Sequence, residues 1–165
     1  MQAHVTPGPA LMKLERLVDE VGALQSKLVL LIGAPHSGKT ALLHCLAKSK
    51  GVTPLNVGAE LGGCLAGMPQ RQRHLQTMTI LRELVDQHAP GDLLLLDNIE
   101  LLFDRSLQID PLDLLKRHAH ARRVVAVWPG ELQGEMRMGR LTYAEMGHPE
   151  HQDYSLAGVV PFEIQ

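Results

Sequence analysis

A chain of 165 residues can bury one substantial core and is short for two. It is 45% hydrophobic but only 3% aromatic, so the core must be built from Leu, Val, Ala and Met. Sixteen Lys and Arg against eighteen Asp and Glu leave a net charge of −2, which excludes a strongly basic nucleic-acid binder and leaves room only for a local basic face.

Residues 1–9 lack the basic start and apolar core of a signal peptide and read as a lead-in. Leu11, Leu14, Leu17, Val18, Val21 and Leu24 then recur at helical spacing, with Lys13, Glu15, Arg16, Asp19 and Glu20 on the other face. Residues 1–25 are therefore expected to form an N-terminal amphipathic helix packed on a domain spanning residues 26–165.

The apolar run Leu28–Ile32 reads as a buried strand and leads into Gly33-Ala34-Pro35-His36-Ser37-Gly38-Lys39-Thr40. That octapeptide is a complete G-x-x-x-x-G-K-[ST] phosphate loop, and Ala41–Ala47 follow it at helical spacing. Glycine at both ends lets the backbone turn its N–H groups toward a phosphate, and the helix opening near Gly38 points its positive dipole end at the same place. Residues Gly33 through Ala41 are thus expected to hold ATP. Lys39 would reach the β- and γ-phosphates, and the Thr40 hydroxyl would ligate Mg²⁺. His36 is unusual in such a loop; it is expected to face solvent, the alternative being a place beside the phosphates.

Gly51 ends the helix and Val52–Val57 reads as a second strand. Glu60–Gly67 is a helix candidate weakened by Gly62, Gly63 and Gly67. A longer helix is predicted from Gln70 to His88, with Leu75, Met78, Leu81, Leu84 and Val85 inward, until Pro90-Gly91 breaks it. Asp92–Asp97 is a buried strand closed by an acid. Asp110-Pro111 has the form of an N-cap followed by proline at the first helical position, opening a helix to about His120. Val124–Trp128, Leu141–Ala144 and Val159–Ile164 read as further strands. Buried strands alternating with helices predict an α/β fold: a three-layer P-loop NTPase core on a mostly parallel five-stranded sheet, with the acid strand not adjacent to the phosphate-loop strand.

A phosphate loop needs an acid beside its Mg²⁺, supplied from the C-terminal end of another parallel strand. Leu93-Leu94-Leu95-Leu96-Asp97 has that form, because four apolar residues suit a strand covered on both faces and Asp97 would emerge at the ligand edge. Asn98 stands where many such proteins carry a water-activating Glu. An amide orients a water but cannot take its proton, so turnover is expected to be weak or stimulated by a partner. Lys39, Asn98 and Glu100 are the candidate catalytic residues; Glu100 requires that the backbone turn after Asn98. Arg105, Arg122, Arg123, Arg137 and Arg140 are candidates for γ-phosphate stabilisation, and spacing selects none of them.

Other groups weigh less. His148-Pro149-Glu150-His151 has two metal-ligand types but no third partner, and reads as a loop with solvated histidines. His118 and His120 end a helix, where positive charge is favoured. Arg71, Arg73, His74, Lys116 and Arg117 form a weak basic face without aromatic interleaving. Trp128 closes a strand and is expected to pack in the core. Cys45 and Cys64 stand in no disulfide or metal pattern, as suits a reducing compartment. No apolar stretch approaches the ~20 residues of a membrane span, and a soluble cytoplasmic protein is expected.

The segments Leu95-Leu96-Asp97-Asn98-Ile99-Glu100-Leu101-Leu102-Phe103-Asp104, Val124–Trp128-Pro129-Gly130 and Leu141-Thr142-Tyr143-Ala144-Glu145-Met146-Gly147-His148-Pro149-Glu150 carry a family resemblance. Over residues 27–154 the chain resembles the BrxF family, small P-loop proteins of type 3 BREX phage-defence systems. The resemblance implies a bacterial cytosolic protein acting beside other BREX components: a DNA methyltransferase, a large ATPase, a phosphatase-like protein and a helicase. It implies nucleotide binding through Gly33, Gly38, Lys39, Thr40 and Asp97. The expected function is an ATP- and Mg²⁺-binding ATPase or nucleotide switch that forms homo-oligomers, any DNA contact being indirect. The rivals are a small phosphotransferase and a non-hydrolysing interaction module with a residual site.

Overall fold

The computed structural model describes residues 8–23, 27–34, 36–89, 91–130, 132–133, 140–143, 152–155 and 157–164. In chain order they form α1 (Gly8–Val21), β1 (Leu28–Ile32), α2 (Lys39–Lys50), β2 (Leu55–Asn56), α3 (Val57–Ala66), α4 (Gln70–His88) and β3 (Leu93–Asp97). Two 3₁₀ turns, Ile99–Phe103 and Arg105–Leu107, precede α5 (Pro111–Ala121) and β4 (Arg123–Val127). The short strands β5 (Leu132–Gln133), β6 (Arg140–Tyr143), β7 (Gln152–Ser155) and β8 (Val160–Glu163) complete the order.

Five strands make one all-parallel sheet in the order β2-β3-β4-β1-β8. Side chains alternate faces along a strand, and here both faces are covered. Leu28, Leu30 and Ile32 of β1, with Leu94, Leu96, Val124 and Ala126, pack under α3, α4 and α5. Val29 and Leu31, with Leu93, Leu95, Val125 and Val127, pack under α1 and α2. All five residues of β1 are buried, which is why its sequence is a continuous apolar run rather than an alternating one. As expected, the acid strand β3 does not touch β1, because β4 lies between them.

Local chemistry sets most boundaries. Gly51, at φ 67°, caps α2 in the left-handed region that glycine tolerates. The Asp110 side chain accepts the Asp113 N–H at 3.0 Å and Pro111 holds the first helical position of α5. The expected strand over Val52–Val57 shrinks to Leu55–Asn56. Asn56 turns its side chain onto the Ala59 N–H at 3.0 Å and caps α3, so Val57 is already helical.

The expected inward face of α4 is corrected. Leu75 is 66% exposed, whereas Thr77, Leu81, Leu84 and Val85 form the buried stripe of α4. Leu75 lies two residues from Thr77, about 200° around the helix, so both cannot face inward. Thr77 is tolerated there because its hydroxyl donates to the Arg73 carbonyl at 2.6 Å. The strand expected from Leu141 is present as β6, which pairs antiparallel with β5 and β7 in a separate three-stranded sheet. Ala144 and the His148–His151 segment lie outside the described residues.

The scarce aromatic residues are concentrated. The chain has one Trp, two Tyr and two Phe. Phe103, Trp128, Tyr143 and Tyr154 form one cluster, with Phe103 and Tyr143 stacked at 4.2 Å and Phe103 edge-on to Trp128 at 5.2 Å. This cluster bonds the small sheet to the large one. Edge-to-face and offset stacking of such rings adds about 0.5–1.5 kcal/mol per pair beyond burial.

Candidate functional site

The C-terminal ends of β1, β4 and β3 are neighbours at one edge of the sheet, and each delivers one part of the site. After β1 the chain turns through residues 33–38 into α2. Gly33 is buried, and a Cβ there would meet Ser37 Oγ at 2.6 Å and the Ile164 carbonyl at 3.0 Å. Only glycine fits. The Ser37 N–H donates to the Ala34 carbonyl at 3.1 Å and closes the turn. His36 (φ 64°) and Gly38 (φ 97°) take left-handed conformations, which fold the loop back over the start of α2.

Gly38 occupies the N-cap of α2 and supplies no side-chain cap, nor is there an acid in the first turn. The start of this helix therefore presents its positive dipole end, with no side-chain cap over it, to an anion. Ser37 Oγ is buried and has no hydrogen-bond partner among the described residues. His36 and Ala34 are exposed, and Pro35 lies outside the described residues.

Lys39, half-buried, donates from Nζ to the Trp128 carbonyl at 2.9 Å. Thr40 donates its hydroxyl to Asp97 Oδ1 at 3.1 Å, joining residues 57 positions apart. Asp97 also accepts the Asn98 N–H at 2.9 Å, and His44 Nε2 on the next turn of α2 stands 3.5 Å from its other oxygen. The Thr40 hydroxyl and the Asp97 carboxylate thus form a hard-oxygen pair suited to a small divalent cation that fills its remaining positions with water and ligand phosphates. Among the described residues no three His, Cys, Asp or Glu side chains gather into a metal cage.

Asn98 is turned away from the loop. At φ 54° it occupies the left-handed region, its Nδ2 donates to Asn56 Oδ1 at 3.0 Å, and its carbonyl accepts the Gly58 N–H at 2.9 Å. A Cβ on Gly58 would collide with the Asn98 amide, so glycine is required for that approach. One amide proton donor of Asn98 is therefore committed to holding β3 against α3. Glu100 is exposed on the first 3₁₀ turn, and among the described residues no hydrogen bond or ion pair ties it to the loop.

The arginines separate by position. Arg122 donates to the Ala89 carbonyl at 2.8 Å and pairs with Asp86, while Arg123 pairs with Asp92 at 2.9 Å. Both lie at the N-terminal end of β4, a five-residue strand, so about 16 Å of strand separates them from the site edge. Neither can reach a phosphate in the loop of the same chain. Arg105 sits in the second 3₁₀ turn, Arg140 opens β6, and Arg137 lies outside the described residues.

Elsewhere, the basic residues of α4 and α5 are partly brought together. His74 and Arg117 line one small cavity of about 200 Å³ with Asp110 and Asp113, and Arg117 pairs with Asp113 at 3.0 Å. Arg73 is spent on the Met68 carbonyl. His118 is held below its ordinary value, first by burial and then by Arg122. The Tyr154 hydroxyl is pushed up to about 12, chiefly by burial and then by Asp110 and Tyr143.

The residues that sequence reasoning missed are Asn56, Gly58 and His44, together with the carbonyl role of Trp128. Asn56 carried one signal, a capping residue just before a helix; the others depend on contacts across the fold. Comparison with protein-family models gives no match, and no curated protein matches the chain either.

Proposed function

We propose that this chain is a small P-loop protein that binds ATP with Mg²⁺ and acts as a weak ATPase or nucleotide switch in a bacterial anti-phage assembly of the BREX kind. The observation that carries the nucleotide reading is the Thr40–Asp97 hydrogen bond, which joins the first turn of α2 to the end of β3, at a helix start without a side-chain cap. Gly33, Ala34, Pro35, His36, Ser37, Gly38 and Ala41 would supply the cradle, Lys39 the charge on the β- and γ-phosphates, and Thr40 and Asp97 the Mg²⁺ side. Mg²⁺, when bound, would neutralise charge developing between those phosphates.

Turnover by the isolated chain is expected to be slow. Asn98 cannot accept a proton, and its amide is already engaged by Asn56. With Arg122 and Arg123 at the far edge, an arginine for the γ-phosphate would come from Arg105, Arg137 or Arg140 or from a second protein. This favours a role in a cytoplasmic complex, as homo-oligomer or with other BREX components, with DNA contacted indirectly.

The test is ATP binding by calorimetry with and without Mg²⁺, for the wild type, Lys39→Ala and Asp97→Asn, with phosphate release measured in parallel. Loss of one charge-assisted hydrogen bond should weaken ATP about tenfold to a hundredfold in Lys39→Ala. Asp97→Asn should abolish most of the Mg²⁺ dependence. Unchanged ATP affinity in Lys39→Ala would sink the site, and phosphate transfer to a small acceptor would replace the switch with a phosphotransferase. For the defence role, Lys39→Ala should abolish phage protection in cells carrying the remaining BREX components; retained protection rejects it.

A further inference from the structure

We infer that Trp128 is a positioning residue that couples phosphate occupancy of the loop to the β5–β7 sheet, through exchange of the Lys39 ammonium between the Trp128 carbonyl and a bound phosphate. The inference rests on the nucleotide reading of the loop and adds to it a route by which the ligand is felt elsewhere. Lys39 opens α2, and its Nζ is 2.9 Å from the Trp128 carbonyl. That carbonyl sits where β4 has just ended: the Trp128 N–H still donates to Leu31 on β1 at 2.9 Å, whereas the residues beyond leave the main sheet.

From Trp128 the connection continues without a gap. The indole is fully buried and its Nε1 donates to the Thr142 carbonyl on β6 at 3.1 Å. Gly130 packs against the same carbonyl so closely that a Cβ would overlap it. The indole also meets Phe103 and Tyr154, and Phe103 stacks on Tyr143. One residue therefore joins the loop lysine through its carbonyl to β6 through its ring, with Phe103, on the turn just after Asp97, completing the circuit.

A phosphate oxygen is a stronger acceptor for an ammonium than a neutral carbonyl. A triphosphate in the cradle would draw Lys39 from Trp128 and leave that carbonyl without its charged donor. The main chain from Trp128 to Gly130, and the sheet attached to it, would then loosen or re-seat. Adenosine, which has no phosphate, would not have this effect.

The full-length chain offers a direct readout, because Trp128 is its single tryptophan. ATP with Mg²⁺ is titrated by calorimetry while Trp128 emission and amide hydrogen exchange over residues 140–143 and 152–155 are followed. We expect an emission change saturating with calorimetric binding, and exchange about tenfold faster in β6, the size one lost charge-assisted hydrogen bond permits; adenosine should give neither. Phe103→Leu should bind ATP within a few-fold of wild type yet lose the exchange response in β6. ATP that binds without altering emission or exchange would overturn the coupling and leave the nucleotide site standing. The same β6 response in Phe103→Leu would equally overturn the aromatic route, and absence of ATP binding would end both proposals.

Discussion

At Gly33 a single missing methyl group shapes the loop, because the space a Cβ would need is taken by Ser37 Oγ and the Ile164 carbonyl. Gly33→Ala is expected to cost about 1–3 kcal/mol through overpacking and, under the proposed function, to weaken ATP binding; thermal unfolding and calorimetry measure the two effects. The glycines of α3 differ in kind. Gly58 is required by the Asn98 side chain, whereas Gly63 has open space where its Cβ would lie. Gly63→Ala should therefore stabilise the protein by about 0.5–1 kcal/mol, and a fall in the unfolding midpoint would contradict this reading. Asn98 accepts its left-handed backbone because Asn56 and Gly58 hold its two polar ends. Its removal should thus be felt in stability as well as in turnover.

Among the elements, α5 and α4 test capping and burial separately. Asp110→Ala removes the bond to the Asp113 N–H, and loss of such a cap costs about 1 kcal/mol. For a chain of this size the melting temperature should fall by about 2–4 °C. On α4 the corrected inward stripe makes opposite predictions for two leucines. Leu81, 1% exposed, should cost about 2–5 kcal/mol on truncation to Ala. Leu75→Gln should stay within about 0.5 kcal/mol of wild type, as exposed substitutions do. Urea unfolding of both variants decides whether the stripe runs through Thr77 or through Leu75.

Over the whole molecule, two sheets with different partners meet at one aromatic cluster, and the helices cover both faces of the larger sheet. His118 reports on one of those helix layers. Its folded value lies below the ordinary 6.5 because burial and Arg122 disfavour its charged form, while Asp86 opposes them in part. The unfolded chain thus binds a proton at His118 that the folded chain resists. The stability His118 leaves intact above pH 6.5 is lost as pH falls from there through the depressed folded value. His118→Gln should flatten that part of the pH–stability curve, measured as urea midpoints between pH 7.5 and 5.5. An unchanged slope would assign the acid sensitivity to other groups. Among the described residues no helix is long and apolar enough to cross a membrane.

What could be read from the sequence is what neighbouring residues decide among themselves. The loop at Gly33–Thr40, the covered strand Leu93–Asp97, the Asp110-Pro111 helix start and the amphipathic α1 all follow from glycine freedom, proline geometry, capping and hydrophobic period, which act within a few residues. The short β2 and the exposed Leu75 were misjudged where a cap or a tertiary face overrode the local pattern. That β1 and β3 are not neighbours was expected from the sequence, but only the tertiary structure decided that β4 is the strand between them, which sets the Trp128 carbonyl before Lys39. It alone turned Asn98 toward Asn56 and gathered four aromatic rings around Trp128. Those contacts join residues tens of positions apart, and they depend on strand order and register, which no run of neighbouring side chains specifies.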